Sequence, residues 1–508
     1  MTGPIIDILL NGVNPEQRRA ILHDHAKDGP LLVLAGAGTG KTSVITRRIA
    51  YCIANGANPA SICAVTFTRA AALEMKERTC SLLERCGLGR IGATMTIATF
   101  HSLALSIVKE SCPGITVAGE GETRGLLRNV ALQCRKSMGE PAGALPFFDE
   151  ACDTLERLRS HFESPETIDF DAMGIRDNRE YFRALWKGYS TEKKARNIID
   201  FNDMISRCLE LLRDNAGLLD RWRNRFTYIH IDEYQDTNIP QYALSRMLAG
   251  GNPNVFIVGD DDQSIYRFRG ADVSNILKFQ EDYPRSTMIK LETNYRSTPN
   301  ILALANAIFK KKKHGLRKQL KPNMKNTNTH FMENLKIRLF CGNHEDDETT
   351  YVLAQSRELI NTGAFSPADI TILCRMNYQV DSWKELLRAE NLPLAAMTLH
   401  SAKGLEFPVV FYAGLNEGLS PLKPRDNTTE REQRAHLDEE TRLFYVGVTR
   451  AKYLLFLTSA REQRWYGKKR KFARSRFFSL VPRAIRFRRP LFTFLRDLLL
   501  EAPEPAST

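Results

Sequence analysis

A glycine-rich run, Ala35-Gly-Ala-Gly-Thr-Gly-Lys-Thr42, separates the apolar segment Leu31–Leu34 from a helical pattern that opens at Ser43. The spacing is that of a P-loop with Ala in place of the leading Gly. Across Ala35, Gly36, Ala37, Gly38, Thr39 and Gly40 the glycines let successive backbone N–H groups turn toward phosphate, and the helix N-terminus adds its positive end. Lys41 is placed to reach the β and γ phosphates of ATP, and the Thr42 hydroxyl to ligate Mg²⁺. Farther on, Asp232-Glu-Tyr-Gln-Asp-Thr237 directly follows the apolar run Tyr228–Ile231. A carboxylate at the C-terminal end of a parallel strand points into the crevice where α/β sheets bind ligands. Asp232 is accordingly the metal-side carboxylate, and Glu233 the group that orients and deprotonates an attacking water. An acidic loop after a strand is common by itself; the P-loop upstream gives this one its meaning.

Such residues need parallel strands to hold them. Short β-rich runs recur at Leu31–Leu34, Ile62–Val65, Tyr228–Ile231, Val255–Val258, Met288–Leu291, Ile370–Cys374, Val409–Phe411 and Leu454–Thr458, each followed by a polar loop and a longer helical pattern. That alternation predicts an α/β protein with parallel sheets covered by helices on both faces. From about Leu105 to Ile199 the pattern turns helical, which predicts a helical insertion. The region from Lys310–Lys313 to Lys325 reads as a basic helix end and a polar loop. At 508 residues, with 43% hydrophobic and 26% charged residues, the chain has room for about three domains with real cores.

The net charge of +13 favours a polyanionic partner. Between Arg461 and Arg489 twelve Lys or Arg residues accompany one acid, Glu462, with Trp465, Tyr466, Phe472, Phe477 and Phe478 interleaved. This pattern suits phosphates and base faces, or else a solubilising surface with packed aromatics. The ten cysteines form no CxxC pair, which argues against a zinc ribbon and for reduced thiols. No basic leader and no apolar run of membrane-spanning length is evident, so a soluble cytoplasmic protein without a membrane partner is expected.

These two sites, with further motifs in the same order, closely resemble the UvrD/Rep/PcrA family of superfamily 1 DNA helicases. Asn14-Pro-Glu-Gln17 resembles the Q motif, Ala64-Val-Thr-Phe-Thr-Arg69 motif Ia, Thr99-Phe-His-Ser102 motif Ib, and Asp200-Phe-Asn-Asp203 the short DNA-contacting motif before the acidic loop. Val258 to Gly270 resembles motif III, Asn294-Tyr-Arg-Ser297 motif IV, Thr398 to Phe407 motif V, and Tyr445-Val-Gly-Val-Thr-Arg450 motif VI. The resemblance implies two RecA-like motor domains. It also implies that Gln17 reads adenine, Tyr295 stacks on it, Glu406 contacts ribose and Gln263 senses the γ-phosphate. Arg296 and Arg450 would stabilise charge on the transferred phosphoryl group, the arginine-finger role. ATP would bind at a domain seam that closes when loaded. Single-stranded DNA would be bound by Phe67, Thr68, His101, Phe201, Tyr266, Phe268, Arg269 and Arg375, through stacking that tolerates any base.

The implied layout is a motor domain 1A over 1–104 and 200–287, a helical insertion 1B over 105–199, a motor domain 2A over 288–480, and a basic, apolar extension over 481–508. The family's large 2B insertion is missing, because only residues 376–397 separate Arg375 from Thr398, enough for a helix over Ser382–Ala389 and a turn. Other departures are Ser43 in place of an adenine-packing Arg, Phe268 in place of Trp, Ser420 in place of an aromatic and Asp381 in place of an Arg. The basic stretch 461–489 is expected to compensate for a weaker grip on DNA. The expected activity is that of an ATP- and Mg²⁺-dependent 3′–5′ DNA helicase or translocase in repair or replication, acting on single-stranded and tailed duplex DNA. Two alternatives stand beside it: a translocase that strips proteins from single strands without opening duplex alone, and a non-catalytic DNA-binding remnant. The apolar stretch Pro490–Leu500 fits a short packed helix or a docking segment for a protein partner.

Overall fold

The computed structural model describes residues 3–89, 94–139, 148–159, 164–171, 173, 175, 177–310, 315–323, 335–424, 428–465 and 468–487. Tyr466, the lysines 311–313, the stretch Pro490–Leu500 and the tail beyond it lie outside these. Two compact units emerge. The first comprises the described residues up to Leu34, Lys41–Gly259 and Tyr266–Ile289; the second comprises Ala35–Gly40, Asp260–Ile265 and the described residues from Lys290 onward.

The strands in chain order begin with β1 Leu31–Ala35, β2 Ile62–Thr66, β3 Thr96–Thr99, β4 Thr116–Val117, β5 Ile198–Ile199, β6 Tyr228–Ile231, β7 Val255–Gly259 and β8 Thr287–Leu291. A six-stranded sheet has the order β3-β2-β6-β7-β1-β8. Its pairs β2–β3, β2–β6, β6–β7 and β1–β7 are parallel. β1, β2 and β7 are buried along their whole length, as expected of unbroken apolar runs covered on both faces. The helices Lys41–Ala54 and Arg69–Arg85 alternate with these strands. Local chemistry sets the helix starts: Asn14 and Gln17 close a reciprocal capping box around Pro15, and Thr68 accepts from the Ala71 N–H.

Between β3 and β6 the chain makes its predominantly helical excursion. The helix Phe100–Ser111 is continuous through Leu105, and β4 and β5 then pair in parallel, a strand pair that the helical pattern hid. The helices Glu120–Ser137, Phe148–Arg159 and Arg179–Ala195 enclose their own core, including Leu126, Val130, Leu158, Leu185 and Trp186.

The second unit adds β9 Thr293–Asn294, β10 Lys321–Pro322, β11 Ile337–His344, β12 Ile370–Cys374, β13 Ala395–Thr398, β14 Phe407–Tyr412, β15 Ala451–Trp465, β16 Lys468–Lys471 and β17 Arg486–Phe487. Its larger sheet runs β13-β12-β14-β15-β11-β17, with β16 antiparallel on β15. Phe411 and Phe456 stack at 4.2 Å in a core shared with Ile372, Val409 and Trp383. A single helix, Asn377–Ala389, and a short turn connect β12 to β13. This helix is five residues longer at its start than the pattern predicts, because Gln379 caps the Met376 N–H. The eight strands read from the sequence are present; β3, β11 and β13, and the short or edge strands β4, β5, β9, β10, β16 and β17, were not anticipated. Among the described residues no helix is long and apolar enough to cross a membrane.

Candidate active site

In the first unit, β1 delivers the chain to Lys41 at the N-terminus of the helix Lys41–Ala54, and β6 delivers it to Asp232 and Glu233. β7 lies between these two strands, and all three are parallel, so their C-terminal ends share one sheet edge. Lys41 Nζ lies 3.9 Å from Glu233 Oε1, with both side chains largely withdrawn from solvent. Glu233 sits at φ +52°, a left-handed conformation uncommon outside glycine and asparagine, and its N–H donates to Asp232 Oδ1 at 2.9 Å. Gln235 Nε2 donates to Glu233 Oε2 at 2.5 Å and steers the carboxylate. Thr42 and buried Asp232 offer hydroxyl and carboxylate oxygens, the donor set that suits Mg²⁺.

Gln17, expected to read adenine, is buried, and its Oε1 accepts the Asn14 N–H, which fixes the amide's orientation. Where the family resemblance leads one to expect Arg, Ser43 instead accepts from Arg47 Nε.

In the second unit the loop Ala35–Gly40 rests on the segment around β9. Asn294 Nδ2 donates to the Ala37 carbonyl at 2.6 Å, and the Tyr295 N–H donates to the Gly38 carbonyl at 2.9 Å. Gly38 has φ +66°, and a Cβ there would stand 2.5 Å from Asn294 Nδ2 and 2.7 Å from Arg296 Cβ, so only glycine fits. Thr39 Oγ1 donates to the Gly36 carbonyl, closing the loop on itself. A glycine-lined cradle of this kind fits a phosphate chain.

Arg296 Nε donates to Glu406 Oε2 at 2.6 Å, and Lys452 Nζ reaches Glu406 Oε1 at 2.7 Å. Burial pushes the Glu406 carboxyl up, but Lys452 and Arg296 prevail and hold it below its ordinary value. Arg450 is 1% exposed, and its guanidinium donates to the Val446 and Leu405 carbonyls and, at 3.5 Å, to Gln263 Oε1. Gln263 Nε2 in turn donates to Asp260 Oδ2 at 2.5 Å, and the Gln263 carbonyl accepts from Lys403 Nζ at 2.7 Å. The structure therefore brings Gln263 and Arg450 together, and separately Arg296 and Glu406.

The residues expected at a nucleic acid form two aromatic groups in the first unit. Phe67 stacks on Tyr266 at 5.2 Å, Phe268 is 65% exposed, and Arg269 lies over both Tyr266 and Phe268. His101 stacks on Phe201 at 3.9 Å, and Phe201 is 56% exposed. Burial pushes the His101 imidazole down to about 4, so it presents a neutral ring at neutral pH. Thr68 spends its hydroxyl oxygen on the helix cap.

Arg375 lies in the second unit with its guanidinium on buried Glu440, at 2.7 Å from Nη2. Phe477 and Phe478, read as alternatives between base faces and packed aromatics, are packed: both are buried, and Phe477 stacks on Phe444 at 4.6 Å. Much of the basic stretch is exposed: Lys468, Lys469, Arg470 and Lys471 of the β15–β16 hairpin all face solvent, as do Arg461, Arg464, Arg474, Arg476 and Arg483.

Several partners were not foreseen. Asp200 and Asp203 of the short motif are engaged by Arg159 Nη2, at 2.8 and 2.6 Å, and by Lys193 Nζ, at 2.9 and 2.5 Å. Tyr189 also donates to Asp200. The side chain of Lys318, within a stretch read as polar loop, is 2% exposed and touches Asp260, Asp261 and Asp262. A lysine in a basic run carries no sign of burial; the three consecutive acids were the available signal that a cation had to come from elsewhere.

The pattern of the UvrD/REP helicase N-terminal domain matches residues 13–284. That of the UvrD-like helicase C-terminal domain matches 289–397 and 394–462, two pieces that meet within β13. The ATP-dependent DNA helicase PcrA of Bacillus subtilis (strain 168) is 37% identical over 382 residues, covering 73% of this chain and 48% of that protein. PcrA of Leuconostoc citreum is 32% identical over 407 residues, covering 78% and 51%. A probable DNA helicase II homolog of Rickettsia conorii is 34% identical over 393 residues, covering 76% and 57%. The chain thus spans about half the length of the curated relatives it matches.

Proposed function

The chain belongs to the UvrD/REP helicase family, and from that premise we propose that it is an ATP-driven motor moving 3′ to 5′ along single-stranded DNA and opening duplex. The observation that carries this reading is the pairing of Lys41 with Glu233 at the shared edge of β1 and β6, with Lys41 directly following the glycine run in the chain. An ammonium that follows phosphate charge and a carboxylate that takes a proton are the two groups that hydrolysis of a phosphoanhydride requires. Water attacks the γ-phosphorus, its proton passes to Glu233, and ADP leaves as the β–γ bridging bond breaks. Gln263, held by Asp260 and Arg450, orients toward the γ-phosphoryl group, while Arg296 and Arg450 stabilise charge on its oxygens. Thr42 and Asp232 are the residues that would hold Mg²⁺, which would supply charge neutralisation on the phosphates.

The exposed Phe201 and Phe268 offer π faces to bases without reading sequence. Work in DNA repair or replication is the setting consistent with this activity. One observation favours a narrower reading, a translocase that needs a partner to open duplex: β12 and β13 are joined by one helix, where the resemblance leads one to expect a whole domain. Strand displacement with ATP on duplexes carrying either a 3′ or a 5′ single-stranded tail separates the readings. Opening of the 3′-tailed substrate alone is the expected result. DNA-stimulated ATP hydrolysis without opening selects the narrower reading, and opening of only the 5′-tailed duplex overturns the polarity.

A further inference from the structure

Residues 260–265 carry an unusual density of charge. Asp260, Asp261 and Asp262 are all buried, and their carboxylate oxygens lie close enough together to hold a metal ion. The centre of the group is instead met by an ammonium. Lys318 Nζ is 2.6 Å from Asp260 Oδ1 and 3.1 Å from Asp261 Oδ1, and it also pairs with Asp262 Oδ2. The Lys318 side chain is 2% exposed. Burial alone would lower its pKa, yet the three carboxylates raise it well above the ordinary value, so the side chain is a cation at any working pH.

Asp261 Oδ2 also accepts the Leu316 N–H, which fixes the backbone that carries Lys318. The same short segment is gripped from other directions. Lys403 Nζ donates to the Gln263 carbonyl and Arg442 Nε to the Ser264 carbonyl, both at 2.7 Å. Asp260 Oδ2, on the carboxylate that Lys318 holds, accepts from Gln263 Nε2. The chain of contacts therefore runs from Lys318 through Asp260 to the Gln263 amide, and from there to Arg450.

We infer that Lys318 is a positioning residue for hydrolysis, the buried counter-cation that fixes the Asp260–Asp262 turn and through it the Gln263 amide, and that the acidic triad is a lysine site and not a divalent-cation site. The inference rests on the ATP-hydrolysing reading for its kinetic half only. Removing the ammonium leaves three carboxylates in mutual repulsion, and the turn that ends on Gln263 opens. A displacement on the order of 1 Å at a group that aligns a reacting phosphoryl costs about a hundredfold in turnover. Substrate binding through the glycine cradle and Lys41 does not pass through this turn, so KM for ATP stays near its wild-type value.

The test uses the full chain and two readouts. Lys318→Met, nearly isosteric and uncharged, is expected to lower DNA-stimulated kcat about a hundredfold with KM for ATP within about twofold. The triple variant Lys318→Met, Asp261→Asn, Asp262→Asn is expected to recover at least about tenfold of that loss, because the repulsion has gone. A folded Lys318→Met protein with kcat within about threefold of wild type overturns the positioning role. So does a triple variant that recovers nothing. Independently of activity, Mn²⁺ titration followed by electron paramagnetic resonance compares nucleotide-free wild type with Lys318→Ala. One additional bound Mn²⁺ per chain in the variant is expected; equal stoichiometry overturns the assignment of the triad to lysine. A wild-type protein that fails to hydrolyse ATP sinks the functional reading, and the Mn²⁺ comparison still decides the lysine site.

Discussion

Two buried charge clusters invite comparison. In the first unit, Arg159 and Lys193 face Asp200 and Asp203, two cations against two anions, between the helices Phe148–Arg159, Arg179–Ala195 and Asp203–Asp214. In the second unit one ammonium, Lys318, is shared by three carboxylates of a single turn. The balanced cluster joins elements of the helical excursion to the helix that follows it, and its residues lie 7 to 44 positions apart in the chain. The lopsided cluster concentrates its anions beside Gln263 and shares its loop with cations aimed at backbone carbonyls. Buried ion pairs of both kinds cost desolvation and hold only when complete. One fastens a fold; the other holds the turn that carries the Gln263 amide, the group proposed to face the γ-phosphate.

The sharpest way to break this comparison is Asp200→Ala. It leaves Arg159 and Lys193 buried with half their compensation, and a loss of about 3–5 kcal/mol in urea-induced unfolding is expected. Turnover of the fraction that remains folded should be unchanged. A loss below about 1 kcal/mol, or a fall in turnover like that expected of Lys318→Met, would erase the distinction.

A third buried charge sharpens it. Glu348 accepts from the Gly414 N–H, the Thr458 hydroxyl and Gln463 Nε2, and burial pushes its carboxyl up from 4.5 to about 7 against the pull of those donors. The folded state keeps this proton to a higher pH than the unfolded chain. Its contribution is therefore full below about 4.5 and is lost as pH rises through about 7, a change of about 3 kcal/mol. Glu348→Gln, neutral at every pH, should flatten the stability profile across that window. An unchanged slope would mean that Glu348 is not its source.

The smallest effect is expected from exposed charge. Neutralising Lys468, Lys469, Arg470 and Lys471 on the β15–β16 hairpin should reduce the salt slope of single-stranded DNA binding by about 0.7 for each phosphate that these cations neutralise. The fold should be untouched, and an unaltered slope removes the hairpin from the DNA path.

The parts of the molecule that could be read from the sequence are those whose cause is local. Leu31–Leu34 and Val255–Val258 announce buried strands because both faces are apolar, and the P-loop declares itself through glycine spacing. β3 and β13 are short and partly polar, and β11 ends in Asn343 and His344, so periodicity passes over them. The partners of Asp200 and Asp260 escaped for a different reason. Arg159 and Lys318 stand 41 and 58 residues from those acids, and Lys318 sits in a run that composition assigns to solvent. Phe477 and Phe478, preceded by Arg474 and Arg476, are nevertheless buried, and Phe477 stacks on Phe444 of the helix Glu430–Val448, a partner more than thirty residues away in the chain. Sequence spacing singles out candidate groups for the chemistry; it does not show which cations pair with them.

The measurement that bears most directly on the account is phosphate release from ATP by wild type and by Lys41→Ala, each with and without single-stranded DNA. Hydrolysis stimulated by DNA is expected in the wild type, and its loss, by at least about a hundredfold, in a Lys41→Ala protein that unfolds at the same urea concentration. Hydrolysis that survives in that variant, or a wild type that DNA does not stimulate, would contradict it.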